Sequence, residues 1–151
     1  MKRKFLGLIC LMLVLVPCAM LLSACKKNDP EVVGNYEVEE ISAEWLGTVV
    51  TRAEYTELSA KEEKTPEEVE RWQLIQYVSF MFDMTLKIKA DGSCEGTVNG
   101  ETSSATWRVE GNQLLITATV EGETETQIYQ ITSDGKIVMA GDGVTVTFVK
   151  V

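Results

Sequence analysis

The sequence predicts a mainly β fold, an eight-stranded antiparallel up-and-down barrel with a helical pair inserted between strands 1 and 2. From Met84 onward the chain alternates apolar and polar residues in seven short segments. One further strand and two helical segments precede them. Eight antiparallel strands joined by tight turns favour a closed barrel. The turn signals between the seven segments are Asp91-Gly92, Asn99-Gly100, Gly111-Asn112, Gly122-Glu123, Asp134-Gly135 and Gly141-Asp142-Gly143.

The first strand is predicted over Val32 to Ile41. Tyr36 and Val38 lie on one face of this segment, and Glu40 interrupts the apolar side of the alternation. Ser42 to Gly47 is predicted to be a loop.

The helical pair is predicted over Thr51 to Glu63 and from Thr65 onward. Thr51 and Glu54 have the spacing of a capping box, and Pro66 follows Thr65 at the first helical position. The second helix carries apolar residues three or four positions apart, which predicts one broad buried face. These residues are Val69, Trp72, Ile75, Val78, Met81 and Phe82, with Leu74 and Tyr77 widening the apolar arc.

The interior of the barrel is predicted to hold mostly large side chains, since an eight-stranded barrel is about wide enough to be filled by them or to hold one small ligand. Two interpretations follow. In the first the core is solid. In the second an apolar pocket lies under the helical pair and is lined by Trp72, Phe82, Trp107 and Tyr129. The predicted inward residues are Leu86, Ile88, Val98, Trp107, Val109, Leu114, Ile116, Val120, Val144, Val146 and Phe148.

The N-terminus has the layout of a secretory signal. Basic residues at positions 2–4 precede an uncharged apolar run from Leu6 to Leu22. The next residues, Ser23-Ala24-Cys25, complete a segment that resembles the lipobox of bacterial lipoproteins. That resemblance implies cleavage between Ala24 and Cys25, and lipid attachment, traceable with palmitate, to the Cys25 thiol.

The predicted organisation is therefore a signal peptide over 1–24, a lipidated Cys25 with a short tether over 25–31, and the barrel over 32–151. An alternative is a transmembrane anchor over Phe5 to Ala24, which is long enough to cross a bilayer as a helix. Both alternatives place the barrel outside the cytoplasm, at the cell membrane, on its extracytoplasmic face.

The mature part resembles the small lipocalin-like domains of bacterial lipoproteins. The resemblance covers roughly Val33 to Val151. It rests on Val33-Gly34-x-Tyr36, on Leu86-x-Ile88-x-x-Asp91-Gly92 and on Thr106-Trp107-x-Val109-x-Gly111-Asn112-x-Leu114. The wider calycin group binds small hydrophobic molecules inside a barrel, so the resemblance implies such a ligand.

Charge and composition exclude several classes of function. The net charge is −9, and it becomes −12 once the three basic residues of the signal are removed, so nucleic acid is not an expected partner. The chain has no His, which excludes His-based catalysis and His metal ligands. Cys94 is the only cysteine after Cys25, and it is expected to be a small buried strand residue. No enzyme motif, metal site or cofactor is predicted.

Two functions of different classes remain. The first is a membrane-anchored binding module for a small hydrophobic molecule. The second is a solid-core scaffold of the cell envelope that docks another protein through its acidic face or its helical pair.

Overall fold

The computed structural model describes residues 31–151, so the predictions for the signal, the lipidated cysteine and most of the tether lie outside the described residues. The strands are β1 Gly34–Ala43, β2 Thr48–Thr51, β3 Thr85–Ile88, β4 Ser93–Val98, β5 Glu101–Glu110, β6 Gln113–Val120, β7 Glu123–Ile131, β8 Ile137–Gly141 and β9 Val144–Lys150. The helices are α1 Arg52–Ala60 and α2 Pro66–Val78, and 3₁₀ segments cover Glu44–Leu46 and Ser79–Asp83.

Eight strands close into an antiparallel barrel, which confirms the predicted fold class. Strands β3 to β9 follow one another in chain order, and β1 closes the barrel by pairing with β9 on one edge and with β3 on the other. The short strand β2 pairs with the second half of β1, on the same edge as β3. The segment predicted to be a loop after β1 therefore contains the end of β1 and a 3₁₀ turn, and β2 directly precedes the helical pair.

A β-bulge explains why the alternation in β1 is imperfect. The register with β9 shifts between Val38 and Glu40. A bulge sets two residues of one strand against one residue of its partner and moves later side chains to the other face. As a result Ile41 is buried, whereas Glu40 is only half-buried.

The helices begin where their capping residues predict. The Thr51 hydroxyl accepts a hydrogen bond from the Glu54 backbone N–H at 3.2 Å. Thr65 and Glu68 form a complete capping box, with the Thr65 N–H donating to the Glu68 carboxylate at 2.8 Å. Such caps satisfy backbone donors that have no partner inside the helix. Helix α1 ends at Ala60, three residues before its predicted end.

Only part of the predicted apolar face of α2 is buried. Ile75 and Val78 are buried, and Trp72 is half-buried. Val69, Leu74 and Tyr77 are exposed to solvent. No helix within residues 31–151 has the length and hydropathy that a membrane span requires.

The two ends of the barrel differ. At the end that we call the terminal end, β1 begins and β9 finishes, and Gly34 pairs with Ile88. At the other end, the helical end, β1 runs into β2 and the helical pair. The buried core cluster is built from residues between Val32 and Phe148, so the described part of the chain holds a core of its own.

The terminal half of the barrel is filled with large side chains. The Tyr36 hydroxyl donates to the Val32 carbonyl at 2.9 Å, and the Trp107 indole N–H donates to the Lys89 carbonyl at 2.8 Å. These bonds satisfy the polar atoms of two buried aromatic side chains. Buried around them are Ile88, Leu114, Ile137 and Phe148.

Candidate functional site

The structure brings together two of the four residues predicted to line a pocket, and it does so through a third aromatic ring. Tyr55 of α1 lies between Trp72 and Phe82. Its ring is stacked on Trp72 with centroids 5.8 Å apart and on Phe82 with centroids 5.0 Å apart. Tyr55 was not among the residues predicted to line the pocket. Its spacing within the short helix α1 gave no sign that it would meet the second helix.

Cationic side chains cover this aromatic stack. The Arg52 guanidinium lies 5.7 Å from the centre of the Phe82 ring, and it donates to the carbonyls of Val38 at 2.6 Å and of Phe82 at 2.7 Å. The Lys64 ammonium lies 5.3 Å from the centre of the Trp72 ring. The stack therefore attaches the helical pair to β1, and Phe82 is a packed wall residue.

The other two predicted residues, Trp107 and Tyr129, lie inside the barrel. Both are buried, and the Tyr129 hydroxyl donates to the side-chain oxygen of Gln127. Burial raises the pKa of Tyr129, and the nearby Cys94 raises it further, so the phenol stays protonated at neutral pH. The four predicted residues thus form two groups, one in the helical cover and one in the barrel core.

Several inward-facing side chains are small toward the helical end of the barrel. Cys94 pairs with Ala105 and Gly96 with Ser103, so these positions share a face with the buried thiol. Ala118 follows Ile116 on the inward face of β6, and Gly141 follows Met139 on that of β8. We call the inward surface formed by Gly96, Ala105, Ala118, Met139 and Gly141 the open interior.

Two glycines leave open space beside the backbone on the inward face, as the exposed turn glycines Gly100 and Gly122 also do on the outside. A Cβ atom built on Gly96 or on Gly141 would meet no other atom within 4 Å. Gly96 lies within a strand, where glycine packs poorly and often marks close approach of another group. The interior was predicted to hold mostly large side chains. Toward the helical end, small inward residues such as Gly96 and Gly141 lie beside inward valines, Val98 and Val144.

The barrel wall has two gaps beside this surface. Strand β7 pairs with β8 only at Gln130–Val138 and Ile131–Ile137, both near the terminal end. The ladder between β5 and β6 stops at Thr106–Thr117, although both strands continue. The β6–β7 hairpin therefore separates from both neighbours toward the helical end. In these stretches the strands lack the ladder pairing that closes the rest of the barrel.

Comparisons with known proteins give a fold neighbour and no family. No protein-family model matches the chain. No curated protein matches it. Among solved structures the chain is similar to a DUF4847 family protein from Bacteroides vulgatus, with 15% sequence identity and a TM-score of 0.48. That match covers 80% of this chain and 94% of the other. No function follows from these comparisons.

A second surface feature lies on the outer face of α2. An open depression of about 650 Å³ is lined by Glu70, Gln73, Leu74, Gln76 and Tyr77, all from that one helix. Trp45 meets Tyr77 edge to face, with ring centroids 6.2 Å apart, and these rings are 57% and 69% exposed. None of the four predicted ligand residues lines this depression. One helix face cannot enclose a small molecule, so the open interior is the better candidate site.

No group of three or more potential metal ligands (His, Cys, Asp or Glu) comes together within residues 31–151. The ion pairs that the structure shows lie at the surface. Arg71 pairs with Glu54, for example, and this contact lowers the pKa of the Glu54 carboxyl. This pair joins the two helices at their surface.

Cys94 is expected to be unreactive in the folded protein. It is buried, and burial raises its thiol pKa to about 11, so the thiolate that reacts is scarce at pH 8. We expect Ellman's reagent to react at least about 1,000-fold more slowly with residues 26–151 in buffer than in denaturant, because exposure requires opening of a fold worth at least about 5 kcal/mol.

Rapid labelling in buffer would contradict this expectation. The pKa shift also sets a direction for stability against pH. Because folding raises the pKa of Cys94, the protonated thiol contributes to the free energy of unfolding. This contribution is complete below about pH 9 and is lost as the pH rises through about 11.

Proposed function

We propose that this protein is a membrane-anchored, extracytoplasmic lipoprotein whose barrel is a non-enzymatic binding module for a small hydrophobic molecule. The single observation that carries the binding role is the pair of inward glycines, Gly96 and Gly141, with no atom within 4 Å of a built Cβ. An eight-stranded barrel has an interior of the size that one small ligand needs.

The proposed ligand lies in the open interior, on the helical-end side of the packed core. Tyr129 forms its floor, and Met139 supplies apolar contact from β8. Trp72, Phe82 and Trp107 shape the surrounding walls. This arrangement uses the predicted residues, but it places the ligand beside them, because the rings of Phe82 and Trp107 are already packed.

The anchoring role is supported by the Leu22 to Cys25 segment and by the end at which the chain enters the barrel. The chain enters the barrel at the terminal end, where Val32 is buried and its carbonyl accepts a hydrogen bond from the Tyr36 hydroxyl. A lipid on Cys25 would therefore hold the terminal end toward the membrane. A resemblance to lipocalin-like domains agrees with the closed barrel, but the binding proposal does not depend on it.

Filling the open interior should abolish binding without unfolding the barrel. Both glycines have ordinary backbone conformations, so leucine introduces no backbone strain. We expect Gly96→Leu and Gly141→Leu each to weaken binding of the neutral dye N-phenyl-1-naphthylamine to residues 26–151 at least tenfold. The midpoint of thermal unfolding should stay unchanged or rise.

Ser104→Leu is the matched control. Ser104 lies on β5 beside Ser103, faces outward and is exposed. The Ser104→Leu substitution adds the same side chain to the outside of the barrel and should leave dye affinity unchanged. Equal losses in all three variants, or unchanged affinity in the two glycine variants, would contradict a ligand in the open interior.

A second function, protein docking by a solid scaffold, is favoured by the exposed rings of Trp45 and Tyr77. The exposed face of α2 also carries Glu67 and Glu70. A protein with an apolar centre and a basic rim would complement this face. The dye experiment separates the two functions, because a wild-type domain that binds no dye would favour docking.

A further inference from the structure

One carboxylate beside the open interior has a buried oxygen without a partner. Glu125 lies on β7, opposite Ala118 and on the same face as Gln127 and Tyr129. Its Oε2 atom is inaccessible to solvent and has no hydrogen-bond partner among the described residues. A buried carboxylate oxygen without a donor is unfavourable, because it has lost water and gained nothing in exchange.

No basic side chain is placed to supply that donor. Strands β4, β6, β7 and β8 contain no Lys or Arg. The one basic residue of β5 is Arg108, and it donates to Glu110 at 2.7 Å near the terminal end. The helical-end half of these strands therefore carries Glu101, Glu123 and Glu125 with no basic side chain, and Glu125 is the one with an oxygen inaccessible to solvent.

We propose that the ligand of the open interior is an amphipathic amine, with its ammonium group at Glu125 and its apolar part over Tyr129 and Met139. This inference rests on the proposed binding function and names the chemical class of its ligand. Oε2 has almost no accessible surface, so the half-buried Glu125 side chain would have to rotate to present it to the ammonium group. A charge-assisted N–H···O bond would then supply the missing donor. The same carboxylate would repel a fatty acid, whose head group carries the opposite charge to an ammonium.

The overall acidity of the chain does not account for such selectivity. Glu121 and Glu123 are exposed on the β6–β7 hairpin, where water and salt screen their charges. Glu125 differs because one of its oxygens is inaccessible and lies on the inward face. The contact between an ammonium group and Glu125 therefore depends on the inward position of this carboxylate as well as on its charge.

The experiment compares three ligands of equal chain length, n-decylamine, n-decanol and n-decanoate. Each is titrated into residues 26–151 at 0.15 M salt, by displacement of N-phenyl-1-naphthylamine and by calorimetry. We expect decylamine to bind at least about tenfold more tightly than decanol, and decanoate to bind most weakly. Glu125→Gln should remove the preference for the amine and leave the affinity for decanol unchanged.

Glu121→Gln is the control, since it removes the same charge from an exposed position of the same hairpin. It should keep the preference for the amine. Equal affinities for the three ligands, or equal effects of the two variants, would overturn the role of Glu125 and leave the binding function standing. Failure of the wild type to bind dye, decanol and decylamine alike would overturn the binding function itself. Thermal unfolding of each variant checks that it is folded.

Discussion

Replacing Phe82 by alanine is expected to lower the free energy of unfolding by about 3–5 kcal/mol, the range for removing a large aromatic side chain from a packed core. Phe82 is 2% exposed. Its ring stacks on Tyr55 at 5.0 Å and lies under the Arg52 guanidinium at 5.7 Å. The truncation would therefore remove apolar burial and also the contact that attaches α1 to the barrel. Urea titration followed by circular dichroism measures the change.

Phe80→Ala is the matched control for this prediction. Phe80 lies in the same 3₁₀ segment, two residues earlier, and is 37% exposed. Its loss should cost less than about 1 kcal/mol, because much of its surface already contacts water. Similar losses for the two variants would mean that Phe82 does not anchor the helical pair. Hydrogen exchange in α1 should also become faster in Phe82→Ala alone.

Local signals in the sequence predicted much of the fold because they act over a few residues. Thr65 defines the start of α2 because its side chain accepts a hydrogen bond from a backbone N–H of the first turn. Pro66 fits the first helical position because it lacks an N–H that would have no partner there. Asn99 and Asp142 adopt positive φ at the hairpin turns, where Asn and Asp are better tolerated than most residues. Such preferences depend little on the rest of the chain.

The features that were missed depend on tertiary contacts. The bulge in β1 exists because Val38 and Ile41 must both face the core, although two glutamates separate them. Strand β2 was not predicted in Thr48–Thr51, because its two apolar residues, Val49 and Val50, are adjacent and give no alternation. The sequence likewise did not predict that Leu74 and Tyr77 on α2 are exposed to solvent. Helical periodicity shows where an apolar face lies but not how much of it a partner covers.

The candidate site was only partly predictable for a related reason. The apolar alternation identified Trp107 as an inward residue, and Tyr129 was predicted to line the pocket under the helical pair. The structure buries both. The proposed room for a ligand depends on Gly96 and Gly141, which add nothing to a hydrophobic pattern. A glycine inside a predicted strand was a usable signal at Gly96. At Gly141 that signal was masked, because the residue adjoins a turn containing a second glycine.

Replacing Cys25 by serine is expected to abolish palmitate labelling and to block removal of the signal. The expectation follows from the resemblance of Leu22 to Cys25 to a lipobox, in which the modified thiol precedes cleavage. Stable anchoring takes two acyl chains, since one chain gives only marginal binding at about 0.8 kcal/mol per buried CH₂. Labelling of intact cells, followed by membrane fractionation, measures both effects. Cys18→Ser, within the same apolar run, should label and fractionate as the wild type.

Palmitate labelling that persists in Cys25→Ser would show that the lipidation prediction is wrong. Labelling that is lost would also bear on the direction of ligand entry. The tether of about six residues spans at most roughly 20 Å, so the terminal end would stay close to the bilayer. Strand β1 has ten residues, which at an ordinary barrel tilt separates the two ends by about 25 Å. The gaps beside β6 and β7 open toward the helical end, so the ligand would enter on the side facing away from the membrane.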